Sequence, residues 1–82
     1  MDSITFTEHA LERLEFRYNI RLKRELEIVK FLLSVKKYRM IKQDWMHKSW
    51  VISMRVKSQN VKLVYNPFTK IVVTALPENA KI

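Results

Sequence analysis

The chain has 82 residues, a length that predicts one domain spanning residues 1–82. It contains no glycine and no cysteine, which excludes glycine-rich nucleotide-binding loops, EF-hand loops, zinc fingers and disulfide frameworks. Sixteen Lys and Arg against eight Asp and Glu leave a formal net charge of +8, which favours a polyanionic partner.

The apolar segments are all short. No apolar run approaches the roughly 18 residues of a membrane span, and the N-terminus lacks a basic segment followed by an apolar one. We therefore expect a soluble, cytoplasmic protein without a membrane partner. No cofactor is expected, and the His, Asp and Glu residues show no metal-ligand spacing.

A helical part is predicted over about residues 7–37. Thr7 is a good N-cap for a helix that begins at Glu8, and Asn19 can adopt the left-handed conformation that ends a helix. Apolar residues at helical spacing predict a second helix over about residues 22–36.

A sheet part is predicted over about residues 38–77. Strict alternation from Trp50 to Val56, continued at Val61–Tyr65 and Ile71–Ala75, indicates half-buried strands, and a further strand is expected over about 38–45. Short connections favour antiparallel neighbours. The fold class is therefore predicted as α+β: two N-terminal helices packed on a three- to four-stranded antiparallel meander.

The lengths of the loops predict the register of this meander. A two-residue loop at Gln59–Asn60 would set Val56 opposite Leu63 and Lys57 opposite Lys62. A five-residue loop at 66–70 would place Thr74 opposite Lys62. The result is a predicted row Lys57–Lys62–Thr74, with Arg55 on the same face, where a bound phosphate would relieve the repulsion of like charges. The alternative is a solvated face whose lysines splay apart.

Positive charge is concentrated in the second half of the chain. Residues 28–77 contain ten bases and one acid, a balance of +9, whereas residues 1–27 carry −1. Nucleic acid is the partner that such a field favours. The nucleic-acid-binding candidates are Arg55, Lys57, Lys62 and Lys70. A solvated, lysine-rich surface is the alternative interpretation.

One stripe of the first helix could carry chemistry. His9, Arg13 and Arg17 follow one another at a spacing of i, i+4, i+8, beside the predicted apolar face. A titratable imidazole next to two permanent cations suits general acid–base cleavage of RNA without a metal, in which the 2′-OH attacks the adjacent phosphorus. His47 is a less favoured base. An exposed helix with Glu–Arg pairs is the alternative.

The stripe lies in a segment that resembles a known family. ITFTEHALERLEFRYNI, residues 4–20, is similar to the opening pattern of small bacterial and phage toxin-like domains grouped with the barnase–EndoU–colicin–RelE ribonuclease superfamily. The matching positions are His9, Ala10, Arg13, Leu14, Arg17 and Ile20. LVYNPFTKIVVTALP, residues 63–77, resembles the last hairpin of that family. The family has a glycine after the second arginine, where Tyr18 and Asn19 stand here.

The resemblance implies an RNA substrate and a helical part on an antiparallel meander. It also implies that His9, Arg13, Arg17 and Thr74 are the catalytic positions. Our first interpretation is a toxin-like, metal-independent endoribonuclease, with RNA as partner and a protein antidote or host protein as a further one. The alternatives are a non-catalytic nucleic-acid-binding regulator and a protein-interaction inhibitor module. The sequence leaves the oligomeric state open.

Overall fold

The computed structural model describes residues 3–80 and has the predicted α+β class. The elements in chain order are β1 (Thr5–Phe6), α1 (Glu8–Tyr18), α2 (Lys23–Ser34), β2 (Arg39–Asp44), β3 (Ser49–Val56), β4 (Gln59–Asn66) and β5 (Ile71–Leu76). The strands form one sheet in the order β1-β5-β4-β3-β2. The predicted three- to four-stranded antiparallel meander is therefore incomplete, because β1 adds a fifth strand, parallel to β5.

The first helix has the predicted ends. The Thr7 side chain accepts a hydrogen bond from the Ala10 backbone N–H at 2.9 Å, and the same hydroxyl donates to the Val73 carbonyl at 2.7 Å. Thr7 thus satisfies one of the amide groups that a helix start leaves unpaired and also joins α1 to the sheet. Asn19 ends the helix with φ 56°.

Both helices pack on one face of the sheet. Ala10, Leu14 and Tyr18 of α1 and Val29 and Leu33 of α2 are buried in one cluster with alternating residues of the strands. These strand residues are Ile52, Met54, Val56, Val61, Leu63, Tyr65, Val72 and Ala75. The core thus forms a single layer between the helices and the sheet. No helix within residues 3–80 is long and apolar enough to span a membrane.

The predicted register of the β3–β4 hairpin is wrong. Val56 pairs with Gln59 rather than Leu63, and Lys62 pairs with Ser53 rather than Lys57. The turn lies at Lys57–Ser58, where both residues have positive φ, 54° and 63°. Such a two-residue turn matches the twist of a hairpin. Because the displacement is even, the residues predicted on the buried face remain there.

The predicted pairing of β4 with β5 is also wrong. Lys62 pairs with Leu76 rather than Thr74, and Thr74 pairs with Val64. The register then shifts between Val64 and Tyr65, so that Val73 is the extra residue of a bulge. The alternation of Ile71, Val73 and Ala75 predicts Val73 on the buried face of its strand, but Val73 is 39% exposed.

Lysines take the backbone conformations that glycine usually occupies. Lys36, Lys48, Lys57 and Lys70 all have φ between 54° and 59°. These positions lie close after α2 or β3, or directly before β3 or β5. Each places a side chain with a β-carbon in the left-handed region, which is energetically unfavourable. Asn60, which was expected at a reversal, is instead an extended residue of β4.

Candidate nucleic-acid interface

The side of the sheet turned away from the helices exposes polar and basic side chains. Apart from Ile41, which lies in a bulge, its members alternate with the buried strand residues and pair with one another across the strands. We call this surface the open face, and it comprises Arg39, Ile41, Lys42, Val51, Ser53, Arg55, Asn60, Lys62, Val64, Thr74 and Leu76.

A cationic row crosses the open face. Arg39 of β2 pairs with Ser53 of β3, and Ser53 pairs with Lys62 of β4. Neighbouring strands lie roughly 5 Å apart, so Arg39 and Lys62 emerge about two strand widths from each other, with a serine between them. This row replaces the predicted row Lys57–Lys62–Thr74.

Two further cations flank that row. Arg55 lies opposite Asn60 and donates from Nη1 to its Oδ1 at 3.4 Å. Lys42 lies opposite Val51. Arg39, Lys42 and Arg55 are exposed and Lys62 is half-buried, so three adjacent strands present cations on one surface.

The segment after β5 reaches one end of the open face. Lys62 Nζ donates to the Ala80 carbonyl at 3.1 Å, and a turn is closed by the Ala80 N–H bonded to the Pro77 carbonyl at 3.0 Å. A shallow groove beside this turn is lined by Arg39, Lys62 and the acidic Glu78, among others. The C-terminal turn therefore borders the cationic row.

A second acid, Asp44, lies at the end of β2. Its carboxylate accepts from the His47 backbone N–H at 3.1 Å and lies 2.7 Å from the His47 ring Nδ1. These hydrogen bonds hold the pKa of Asp44 below its usual value. His47, the less favoured catalytic base, is thus engaged with Asp44 on an exposed loop.

Two of the predicted binding residues lie elsewhere. Lys57 Nζ is 2.6 Å from the Glu25 carboxylate, on the helix side of the sheet. Lys70 lies in the turn between β4 and β5, at the end of β4 remote from Lys57, and its carbonyl accepts from the Thr5 N–H. Of the four predicted binding residues, Arg55 and Lys62 share the open face.

The predicted catalytic residues are divided between α1 and the sheet. His9, Arg13 and Arg17 each precede a buried residue of α1 by one position, so they form the predicted stripe beside the packed side of the helix. His9 and Arg17 are exposed and Arg13 is half-buried. Thr74 is a half-buried member of the open face.

One end of the α1 stripe approaches the same C-terminal turn. Arg17 lines a groove with Gln59, Pro77 and Glu78, and Glu78 also lines the groove that contains Lys62. Glu78 is therefore shared between the end of the stripe and the edge of the open face.

Sequence reasoning missed the β2 contribution. Arg39 and Lys42 lie on either side of a register shift between Met40 and Lys42, which makes Ile41 an extra residue. The bulge obscures the period of two along this strand. A strand over about residues 38–45 was predicted, and the two basic residues within it, Arg39 and Lys42, were the available signal for this part of the surface.

Exposed aromatic rings lie on the loops at one end of the sheet. Trp45 is 60% exposed and Phe68 is 58% exposed. The Trp45 ring packs against Phe68 with a centroid distance of 6.2 Å, and Lys48 Nζ lies 5.9 Å from the Phe68 centroid. Such rings can stack on bases.

Comparisons with known proteins do not assign this chain to a family. No family model matches it, and no curated protein or solved structure is significantly similar to it. Within residues 3–80, no three or more His, Asp or Glu side chains are grouped closely enough to hold a metal ion. The open face and the α1 stripe are therefore the features of the structure that bear on function.

Proposed function

We propose that the protein binds single-stranded RNA on the open face. The observation that carries this proposal is the group of four cations, Arg39, Lys42, Arg55 and Lys62, which three adjacent strands present on the side of the sheet opposite the helices. Phosphates supply most of the affinity in such complexes, through Lys and Arg.

An unpaired strand suits this surface better than a duplex. The major groove of A-form RNA is too deep and narrow for side chains to read, whereas single strands can lay bases on side chains and phosphates on cations. Apolar Val51 and Val64 lie side by side on the open face next to Lys42. Bases can therefore contact the two valines while a phosphate contacts the lysine.

Binding of a labelled single-stranded RNA, measured by fluorescence anisotropy over a range of salt concentrations, tests the proposal. Affinity should fall steeply with salt, and Arg55→Ala should reduce the slope of log affinity against log salt by about one. Arg24→Ala, an exposed cation at the start of α2, is the matched control and should leave the slope unchanged. Equal effects of the two substitutions would contradict the proposal. If this protein instead binds a partner protein tightly and has no affinity for RNA at low salt, the inhibitor module would be supported.

Metal-independent RNA cleavage is a second candidate. Its support is that the α1 stripe ends at Arg17, beside the same Glu78 that borders the open face near Lys62. In this reaction His9 takes the proton of a 2′-OH, the 2′-oxygen bonds to phosphorus, and the bond to the 5′-oxygen breaks as that oxygen takes a proton from a water molecule. Arg13 and Arg17 would stabilise the phosphoryl oxygens, and Thr74 is the remaining residue that the family resemblance suggests.

A gel of labelled RNA incubated with protein in excess EDTA tests cleavage. The wild-type protein should cut, His9→Ala should not, and His47→Ala should cut like wild type. Binding without any cleavage by the wild-type protein would leave the protein as a non-catalytic RNA-binding regulator.

A further inference from the structure

Two exposed aromatic rings lie together at the end of the sheet that carries the β2–β3 and β4–β5 turns. Trp45 lies in the first turn and Phe68 in the second, and both side chains are exposed over more than half of their surface. Met46, next to Trp45, is also exposed. Apolar side chains grouped on a surface in this way mark interaction sites. We call Trp45 and Phe68 the aromatic platform.

The two turns hold the aromatic platform in place. Asp44 accepts a hydrogen bond from a backbone N–H of the β2–β3 turn at 3.1 Å, and Asn66 accepts from the Phe68 backbone N–H at 2.9 Å. The Trp45 ring also packs edge-on against Trp50, which itself packs against the core. The rings are therefore positioned before a ligand arrives, which lowers the entropy lost on binding.

Lys48 adds a positive charge beside the aromatic platform. Its Nζ lies 5.9 Å from the centroid of the Phe68 ring, and the residue is exposed. A nucleotide brings a flat base and a negative phosphate together, and proteins bind the base by stacking on a ring and the phosphate through a cation. A ring next to an ammonium group matches both parts of one nucleotide.

The aromatic platform continues the open face along the direction of the strands. Both β2 and β4 run toward this end of the sheet, so that the row of Arg39 and Lys62 is followed by Lys42. Trp45 comes three residues after Lys42, a length of chain that spans at most about 10 Å. A strand of RNA that lies along β2 and β4 therefore reaches the rings after it leaves the cations.

A lipid surface fits the aromatic platform less well than RNA does. The Asp44 carboxylate and the His47 ring, whose nearest atoms are 2.7 Å apart, border or belong to the same turn as Trp45. Insertion of this turn into a bilayer would remove both polar groups from water, which is unfavourable. A stacked base covers a ring and leaves these groups hydrated.

We propose that the aromatic platform stacks unpaired bases of the RNA strand that lies on the open face, and that Lys48 contacts a phosphate of those nucleotides. This inference rests on the proposed RNA-binding function and adds to it a site for bases. The bases of a duplex already stack on one another, whereas those of a single strand are free to stack on protein side chains. The aromatic platform therefore selects single-stranded RNA.

Tryptophan fluorescence tests stacking in the unaltered protein. Unstructured single-stranded RNA should quench the fluorescence saturably, and a duplex of the same length should quench it much less. Trp45→Phe keeps a ring but removes the indole, so the quenching should disappear while the affinity measured by anisotropy is largely kept. Quenching that is the same in Trp45→Phe as in wild type would come from Trp50, the second tryptophan of the chain, and would overturn stacking on Trp45.

Phe68→Leu has a matched control in Phe31→Leu, because Phe31 of α2 is 60% exposed and Phe68 is 58% exposed. Phe68→Leu should weaken RNA binding by about fivefold or more. It should leave the slope of log affinity against log salt unchanged, because no phosphate contact is lost. Phe31→Leu should bind as wild type. Circular dichroism shows that both variants are folded, and equal losses in the two would overturn the proposal.

Lys48→Gln separates the phosphate contact from the stacking. It should reduce the slope of log affinity against log salt by about one. Lys23→Gln replaces an exposed lysine at the start of α2 and should leave the slope unchanged. Equal slopes in the two variants would overturn the contact of Lys48 with a phosphate.

The same titrations separate this inference from the proposed function. Salt-dependent RNA binding without quenching of Trp45, and with Phe68→Leu behaving like Phe31→Leu, would overturn the aromatic platform and leave the open face standing. Binding that is weakened by Phe68→Leu but not by Arg55→Ala would keep the aromatic platform and overturn the open face. Absence of RNA binding at low salt would overturn both.

Two further ligands test whether the aromatic platform takes bases. Inorganic polyphosphate that quenches Trp45 as strongly as RNA does would contradict stacking, because it carries charge without bases. Phosphatidylserine vesicles that change the fluorescence of Trp45, in a protein whose fluorescence does not respond to RNA, would assign the aromatic platform to a lipid surface and overturn the proposal.

Discussion

Glu25 and Lys57 join three parts of the fold through one ion pair. Their charged atoms lie 2.6 Å apart, and the Glu25 side chain is 8% exposed. The other carboxylate oxygen of Glu25 accepts from the backbone N–H groups of Arg21 and Leu22 at 3.0 and 2.9 Å. Lys57 Nζ also lies 3.4 Å from the carbonyl of Asn19. The β3–β4 turn is thus held against the junction of α1 and α2.

The first prediction concerns the pH dependence of this contact. The Lys57 ammonium and the two backbone N–H groups lower the pKa of Glu25 from 4.5 to about 2. The fold therefore favours the ionised carboxylate, so its stabilising contribution is complete above pH 4.5 and is lost as the pH falls toward 2. Glu25→Gln keeps an acceptor oxygen but removes the charge, and it should lower the free energy of unfolding at neutral pH.

Urea denaturation of wild type and Glu25→Gln at several pH values measures this effect. The difference in free energy of unfolding should shrink between pH 4.5 and 2. Glu27→Gln is the control, because Glu27 is an exposed residue of the same helix whose ion pair with Lys30 is longer, at 3.8 Å. A difference that stays constant with pH would show that the charge of Glu25 does not stabilise the fold.

The second prediction concerns Tyr18, whose hydroxyl bridges β4 and β5. It accepts from the Lys62 backbone N–H at 3.2 Å and donates to the Leu76 carbonyl. Tyr18→Phe should leave these two groups without that partner and lower the free energy of unfolding by about 1–3 kcal/mol. Tyr38→Phe, at the half-buried position just before β2, should have a smaller effect in the same denaturation experiment.

Burial also raises the pKa of the Tyr18 hydroxyl. The fold therefore favours the protonated phenol, and its contribution should be lost as the pH rises through that raised pKa. Tyr18→Phe should be insensitive to this alkaline loss, and an identical alkaline transition in both proteins would contradict the bridge.

The third prediction distinguishes the observed hairpin from the one expected from the sequence. Ser58 has φ 63°, so Ser58→Gly should raise the free energy of unfolding by about 1 kcal/mol by relieving a left-handed β-carbon. Asn60→Gly should lower it by about 0.5–1 kcal/mol, because Asn60 is in an extended strand. Thermal and urea denaturation measure both changes. The opposite signs would favour a turn at Gln59–Asn60.

Local signals in the sequence predicted the helices well. Thr7 and Asn19 cap the two ends of α1 as expected, because capping depends on residues within a single turn of the helix. The buried faces of β3 and β4 were also correct, since alternation alone determines which side chains share a face.

The pairing between strands could not be derived in the same way. Lys57 and Ser58 have little intrinsic preference for the positive φ that they adopt, and Lys57 is paired with Glu25, which is distant in sequence. Bulges at Ile41 and Val73 each add a residue that no local pattern marks. The two-residue β1 is too short for a periodic signal.

The candidate interface was predicted in part for the same reason. Arg55, Lys62 and Thr74 lie on the expected face because alternation places them there, whereas Arg39 joins Lys62 through strand pairing alone. Lys57 was expected on that face, but its partner is a carboxylate distant in sequence.

RNA affinity measured on two variants of equal charge tests the open-face proposal most directly. One variant combines Arg39→Gln, Lys42→Gln and Arg55→Gln on the open face. The other replaces the same number of exposed cations around the start of α2, with Arg21→Gln, Lys23→Gln and Arg24→Gln. Both lose the same net charge, so any difference reports position rather than overall attraction.

Circular dichroism and urea denaturation establish that both variants are folded before single-stranded RNA is titrated at low salt. The open-face variant should lose about tenfold or more in affinity. The slope of its log affinity against log salt should be smaller by about three, one for each phosphate contact removed. The α2 variant should bind nearly as wild type. Equal losses in the two variants, or a larger loss in the α2 variant, would contradict binding on the open face.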